Sequence, residues 1–330
     1  MDDVAVSVAG GTGRGQVRRL LSAALAALTL VLVAACGPGA VGTQPHEEET
    51  AASRGGYPVT VTDSVGRRVT IESEPQRIAS MAPSLTETVF ALGEGEKVVG
   101  VTTADDYPPE VRKLPKIGDF QQVNVEKVIE LDADLLLVSF EYSTRERAEE
   151  LEEQTGADVV VVDPGSLEEA VASMELVGRA VGAPERGERL RSRLERELRE
   201  ISEAVEGRPR PTVFYELWHD PLQTVGPGSF IHDAIVLAGG RNIAASTGKP
   251  YPTYSTETLI RKDPDYYLVG SSSGVSPEEV KERPGYSALS AVRRDRVVVV
   301  NDDLINRPGP RIARGVREIA GAIHPEAFGR

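Results

Sequence analysis

Asn124-Val-Glu-Lys-Val-Ile-Glu-Leu-Asp-Ala-Asp-Leu-Leu-Leu-Val138 returns in the second half of the chain as Ser255-Thr-Glu-Thr-Leu-Ile-Arg-Lys-Asp-Pro-Asp-Tyr-Tyr-Leu-Val269. Each copy opens on a helix-capping side chain, carries an acid in the first turn, runs through a short helix to an Asp-x-Asp turn and ends in an apolar strand. Glu126 matches Glu257, Ile129 matches Ile260, and Asp132 and Asp134 match Asp263 and Asp265. Helix–strand units share capping chemistry and so resemble one another. Here the cap, the three acids and the apolar register align without a gap, which points to duplication.

Strand and helix signals alternate outward from both copies. Arg77-Ile-Ala-Ser-Met81 reads as a strand, Ser84-Leu-Thr-Glu87 as a capping box opening a helix that ends near Leu92-Gly93, and Val98 to Val101 as a second strand. A Pro-marked loop follows at Tyr107-Pro108-Pro109; Leu135 to Ser139 and Val159 to Val162 complete the strands of the first half. The second half starts with a strand at Thr212 and continues through a helix capped by Ser229 and stopped at Gly239-Gly240. Between the halves, Ser166-Leu-Glu-Glu169 opens one helix, and Leu190, Leu194, Leu198, Ile201 and Val205 mark the apolar stripe of a long second one. The fold class is therefore α/β: two similar lobes with largely parallel sheets, joined by a rigid long helix, with a ligand cleft between them.

At the N-terminus, Arg14, Arg18 and Arg19 precede an apolar run from Leu20 to Val33 that ends in small residues before Cys36. That order describes a secretory signal, and Leu32-Val-Ala-Ala-Cys36 resembles a bacterial lipobox, in which the Cys is lipidated. The expected divisions are a lipoprotein signal at 1–35, a tether at 36–57 too poor in large apolar residues to fold, a first lobe at 58–165, connecting helices at 166–208 and a second lobe at 209–330. The working part is expected outside the cytoplasmic membrane. Its net charge of −14, or −15 once three Arg and two Asp leave with the signal, has the wrong sign for gripping nucleic acid.

Little in the chain offers catalysis. One Cys excludes an internal disulfide, and His46, His219, His232 and His324 do not cluster in sequence. Gly270-Ser-Ser-Ser-Gly274 fits the G-x-S-x-G pattern of serine hydrolases, but no helix begins at that turn; Ser276 and Pro277 start one later. The Asp-x-Asp pairs sit at turns where Asp bonds the local backbone, so they are not read as metal ligands. Tyr107, Phe120, Phe140, Tyr142, Trp218, Tyr251 and Tyr254 fall in loops after strands, where two lobes would face each other, and suit a broad, partly apolar ligand.

Longer stretches carry a resemblance. Arg77-Ile-Ala-Ser-Met-Ala-Pro-Ser-Leu-Thr-Glu-Thr-Val-Phe-Ala-Leu-Gly93, Val98-Val-Gly-Val-Thr102, Asp106-Tyr-Pro-Pro109, Leu114-Pro-Lys-Ile-Gly118 and Asn124-Val-Glu126 resemble the periplasmic iron–siderophore/cobalamin-binding family, the helical-backbone substrate-binding proteins of ABC importers. Gly228-Ser-Phe-Ile-His-Asp-Ala234, Asn242, Tyr254-Ser-Thr-Glu257 and Pro310-Arg-Ile312 continue it, so it spans about residues 59 to 325. The resemblance implies ligand capture between two lobes without catalysis or a resident cofactor, by a monomer that delivers to a permease dimer with its ATPase subunits. It implies that Glu126 and Glu257 pair with permease Arg residues. The cobalamin binders are the most similar subfamily: Tyr107 stands at their corrin-contacting Tyr, Phe120, Phe140 and Tyr251 stand where they carry Trp, and Asp303 matches an Asp near their ligand. The transported ligand is thus expected to be a cobalt corrinoid, with ferric siderophore or haem as the alternative; Arg241 and Arg307 are the basic candidates for such an anion. A surface-anchored serine hydrolase is the alternative of a different class.

Overall fold

The structure, a computed structural model, describes residues 56–119 and 121–329. The first lobe opens with an antiparallel hairpin, β1 (Val59–Thr62) and β2 (Arg68–Ile71). It continues through β3 (Ile78–Ser80), α1 (Pro83–Ala91), β4 (Val98–Gly100), α2 (Val125–Glu130), β5 (Leu135–Val138), α3 (Arg145–Thr155) and β6 (Asp158–Val161). Two helices, α4 (Leu167–Ala180) and α5 (Pro184–Val205), connect it to the second lobe. That lobe holds β7 (Thr212–Glu216), a small hairpin of β8 (Trp218–His219) and β9 (Leu222–Gln223), α6 (Phe230–Leu237), β10 (Arg241–Asn242), α7 (Thr256–Lys262) and β11 (Tyr266–Gly270). It ends with α8 (Pro277–Glu282), α9 (Ser290–Arg293), β12 (Val297–Val300), α10 (Asp302–Ile305) and α11 (Ile312–Ile323).

The two main sheets are built alike. Their strand orders are β4-β3-β5-β6 and β10-β7-β11-β12, and every pairing within them is parallel. Strand alternation divides each sheet between two cores. Leu135 and Leu137 face a core shared by both lobes, whereas Leu136 and Val138 face the first lobe's own outer layer with Val128 and Leu151. In the second lobe, Leu268 joins the shared core while Tyr267 and Val269 pack outward with Phe214, Leu259 and Val280. The shared core runs through Leu190, Leu194, Leu198, Ile201 and Val205 of α5 and the buried stripe of α11, so the connector is a packed structural member. Gly178 and Gly187 let α4 and α5 close upon each other. A Cβ on Gly178 would lie 2.8 Å from the Gly187 Cα.

The repeated segments fold as the same unit. Asn124 accepts a hydrogen bond from the Lys127 N–H at 2.9 Å and Ser255 from the Thr258 N–H at 3.1 Å, each capping its helix. Asp132 and Asp263 then turn the chain in left-handed conformations that a short polar side chain tolerates. The second acid of each pair reaches back to the sheet's first strand. Asp134 accepts from the N–H groups of Gln76 and Arg77, and Asp265 from the N–H and hydroxyl of Thr212. The Asp-x-Asp pairs are strand anchors.

One expected cap differs. The N-cap of α1 is Ala82, with Pro83 in the first turn, so Ser84 lies inside the helix and makes no capping bond. Glu87, freed from the expected capping box, is buried and turned towards the second lobe. Among the described residues no helix is long and apolar enough to cross a membrane. Cys36 and the expected signal and tether lie outside the described residues, apart from the tether's last two positions, Gly56 and Tyr57.

Candidate functional site

In parallel α/β sheets the loops beyond the strand C-termini build ligand sites. Here those ends of the two lobes meet. Beyond β3, the start of α1 packs on the turn before α11 so closely that a Cβ on Gly309 would lie 3.2 Å from the Ser84 carbonyl oxygen. Beyond β4, Asp106 bonds Arg307 of the second lobe at 2.7 Å. Beyond β6, the chain enters α4, whose Leu167 N–H donates to Asp233 of α6 at 3.0 Å.

Four of the aromatic residues named from the sequence stand exposed in these loops: Tyr107 (43%) after β4, Phe140 (52%) after β5, Trp218 (59%) after β7 and Tyr251 (49%) after β10. Large rings normally seek burial, so four exposed ones in loops beyond the strand ends of both lobes make these loops the candidate binding surface. The fold gives each a defined seat. Tyr107 lies under the Arg311 guanidinium, 4.2 Å from the ring centroid. Phe140 sits in a left-handed backbone conformation, a strain that projects its ring from the strand end. Trp218 and Tyr251 share one ribbon. The segment 250–254 bonds along β9 through Thr224 N–H to Pro252, Gly226 N–H to Pro250 and Tyr254 N–H to Leu222, and Trp218 is paired across the same hairpin. The Tyr251 hydroxyl is pushed above its usual range by burial, with Asp163 of the first lobe adding to it.

Against Tyr107 lies an ion-pair cluster that the sequence reading did not find. Arg311 donates to both oxygens of Glu87, through Nε and Nη2 at 2.6 Å each, a two-point grip on a side chain only 1% exposed. Arg307 donates to the same carboxylate at 3.1 Å, to Asp106 at 2.7 Å and to Asp303 at 2.7 Å. Partial burial pushes Asp106 up, but the hydrogen bond and charge of Arg307, with Arg112 and Arg311 beyond, hold its carboxyl below the ordinary range. Burial opposes the charge of Arg307, yet Asp106, Glu87 and Asp303 hold its pKa above the usual value. Next to the cluster, the two lobes and α5 enclose a pocket of about 360 Å³ lined by Glu87, Tyr107, Arg193, Glu197, Arg311 and Arg314. The one sequence signal for the cluster was the Arg307/Arg311 spacing at the mouth of α11, with Glu87 on α1; its meaning depends on a contact between the two lobes.

Other expected site residues are placed differently. Asp303 is half-exposed and pairs with Arg307 through one carboxylate oxygen, Oδ1. Arg307 faces three carboxylates, and Arg241 lies at the opposite end of its sheet, where β10 begins and its Nε donates to the Arg210 carbonyl. Neither is an open cation in the cleft. Tyr254 is buried against Phe214, their ring centroids 5.5 Å apart, and the Tyr142 hydroxyl accepts from the Val123 N–H at 2.8 Å, tying down the neighbouring loop. Phe120 lies outside the described residues. In the Gly270–Gly274 loop, the hydroxyls of Ser271 and Ser272 donate to Asp302, so the loop is a small polar cap on α10.

Glu126 and Glu257 are both exposed, in the first turns of α2 and α7. Each helix runs into the N-terminal end of its following strand, which sets its first turn at the strand C-terminal end, the cleft side of each lobe. Among the described residues neither carboxylate takes part in an ion pair. They form two negative points, one per lobe.

Comparison with known proteins gives a consistent set. The family described as periplasmic binding protein matches residues 78–304. The ABC transporter substrate-binding lipoprotein YvrC of Bacillus subtilis is 36% identical over 310 residues, which cover 91% of this chain and 96% of YvrC. A cobalamin-binding protein of Halobacterium salinarum is 31% identical over 320 residues, covering 92% of this chain and 84% of that protein. The solved periplasmic heme-binding protein RhuT from Roseiflexus superposes with a TM-score of 0.69 at 29% identity, over 76% of this chain and 99% of its own.

Proposed function

This chain belongs to the periplasmic binding protein family, and on that premise we propose that its cleft captures a cobalamin-type corrinoid and delivers it to an ABC importer. The observation that carries the ligand is the pairing of four exposed rings, two on each lobe, with an ion-pair cluster in which Arg307 and Arg311 are matched by Glu87, Asp106 and Asp303. Rings offer area and shape to a broad, largely neutral macrocycle at low entropic cost. Haem, or a ferric siderophore carrying negative charge, calls for unpaired Arg. The likeness to a cobalamin-binding protein across nearly the whole chain supports the same reading. The second reading, haem, is favoured by the likeness to RhuT.

Trp218, the only Trp, reports on the cleft. Titration with cyanocobalamin, corrected for inner-filter absorption, is expected to quench its fluorescence saturably. Saturable quenching by haemin or a ferric siderophore with none by any corrinoid would move the assignment to the second reading. The protein works outside the cytoplasm, and we place its anchor at Cys36, as the name of its lipoprotein relative supports. Cys36→Ser is expected to shift the protein from the detergent phase to the aqueous phase; unchanged partitioning would remove the anchor.

A further inference from the structure

We infer that Glu87 sets the charge class of ligand this cleft accepts: buried against Arg307 and Arg311 it offsets their charge, so the site favours a neutral macrocycle over a polyanion. The inference rests on reading the cleft as the ligand site and deepens that reading.

The cluster contains two guanidinium groups and three carboxylates, Glu87, Asp106 and Asp303. Only Glu87 touches both arginines, and it alone of the three acids is fully buried. Its position decides its effect. Asp106 and Asp303 are half-exposed, so an incoming ligand carboxylate could compete with either for Arg307. Glu87 borders the pocket but is almost wholly covered and gripped by both arginines, so its negative charge stays beside them when a ligand enters. An arginine fork recognises carboxylates in a two-point geometry, and Arg311 has committed its Nε–Nη2 edge to Glu87. What remains to Arg311 is its stack on Tyr107, one of the four exposed rings, and its Nη1 hydrogens, whose pull on an anion the neighbouring Glu87 charge offsets. Glu87 thus acts through its partners as a positioning residue. It offsets the charge of two anion receptors and holds the guanidinium against which the Tyr107 ring lies.

Glu87→Gln keeps the shape and an accepting oxygen while removing the charge. Trp218 titrations would compare wild type, Glu87→Gln and Asp106→Asn with haemin, which carries two carboxylates, with haemin dimethyl ester, which carries none, and with cyanocobalamin. Glu87→Gln is expected to bind haemin at least tenfold more tightly than wild type, with the gain shrinking as KCl is raised and absent for the ester. Cyanocobalamin binding should stay level or weaken. A merely structural role would weaken all three ligands together. Asp106→Asn, at a half-exposed position outside the hydrophobic core, should give a smaller gain for haemin. If Glu87→Gln fails to fold, Asp106→Asn decides: a gain confined to haemin supports the inference, and none overturns it. Folded variants whose haemin affinity is unchanged or lower overturn it as well. A wild type that takes haemin and no corrinoid would end the ligand proposal, while the haemin ratio between variant and wild type still decides the role of Glu87.

Discussion

The two lobes share a frame and differ in how they finish it. Both order their strands second-first-third-fourth, both cap the helix before the third strand with an Asn or Ser side chain, and both anchor the first strand through the last Asp of the Asp-x-Asp turn. They diverge at the edge strand. In the first lobe the β1–β2 hairpin lies along β6: Ser64 donates to the Val161 carbonyl at 2.9 Å, and Arg67, paired with Asp63 and Glu152, donates to the Val159 carbonyl. In the second lobe β12 is an edge without such a cover among the described residues, and the buried charge sits instead at the end of β7, where Glu216 holds Arg283 and Tyr267. They diverge again beyond the first strand, which leads into α1 in one lobe and into the Trp218 hairpin in the other. Frame positions are fixed by hydrogen bonds and packing that any copy must satisfy. Loops at the strand ends carry less of that duty, which leaves them free to diverge.

The severest test of the shared frame is Arg283→Met. It leaves Glu216 buried without its cation, a loss expected to cost about 3–5 kcal/mol. Because one core runs through both lobes and α5, urea unfolding should remain a single transition at a lower midpoint. Two resolved transitions would break the comparison by making the lobes independent.

Next in size is the reversal of the paired acids. Glu126→Arg with Glu257→Arg should place like charges against permease cations and bring uptake close to background, while corrinoid affinity stays near wild type. Each single reversal should give an intermediate loss if the lobes dock equivalently. A lone reversal that abolishes uptake would show unequal docking, and lost ligand binding would place these acids in the cleft.

Ring removal sharpens the divergent part. Tyr107→Ala should weaken cyanocobalamin binding by roughly tenfold, since one well-seated ring contributes about 1 kcal/mol or somewhat more. Tyr254→Ala, at a ring buried in the second lobe, should instead lower the melting temperature.

The smallest effect compares two buried acids. Asp302 has its carboxylate filled by Ser271 and Ser272, whereas Asp105 keeps one oxygen, Oδ1, without a hydrogen-bond partner. Burial pushes the Asp105 carboxyl up, against the hydrogen bonds from Thr102 that lower it. A folded-state value above the unfolded one means that this group favours folding below the ordinary carboxylate range and loses that contribution as pH rises through the raised value. Asp105→Asn should therefore stabilise the protein by up to about 1 kcal/mol at pH 7.5. The gain should vanish by roughly pH 4. Thermal melts at both pH values check it, and Asp302→Asn should destabilise at pH 7.5.

The frame was legible because it is written in local chemistry. Caps at Asn124, Ser166, Ser229, Ser255 and Ser276 all accept the bonds their positions imply, and the stripe on α5 is buried residue for residue. The β1–β2 hairpin was missed because its strands are short and mostly polar outward, a weak alternation signal. Ser84 misled because Ser-x-x-Glu describes a capping box only when Ser precedes the helix, and Pro83 had already begun it.

By itself the sequence determined the duplicated α/β unit, the stiff connector, the exposed acids at matching first turns and the loops that carry the rings. Each follows from residues within a few positions of one another, through caps, periodicity and turn chemistry. Tertiary structure alone decided which rings remain exposed, that Tyr254 is core, and that Arg307 and Arg311 are committed to Glu87. Those outcomes depend on contacts between residues far apart in the chain, and a local pattern holds no information about which charge will be buried beneath which.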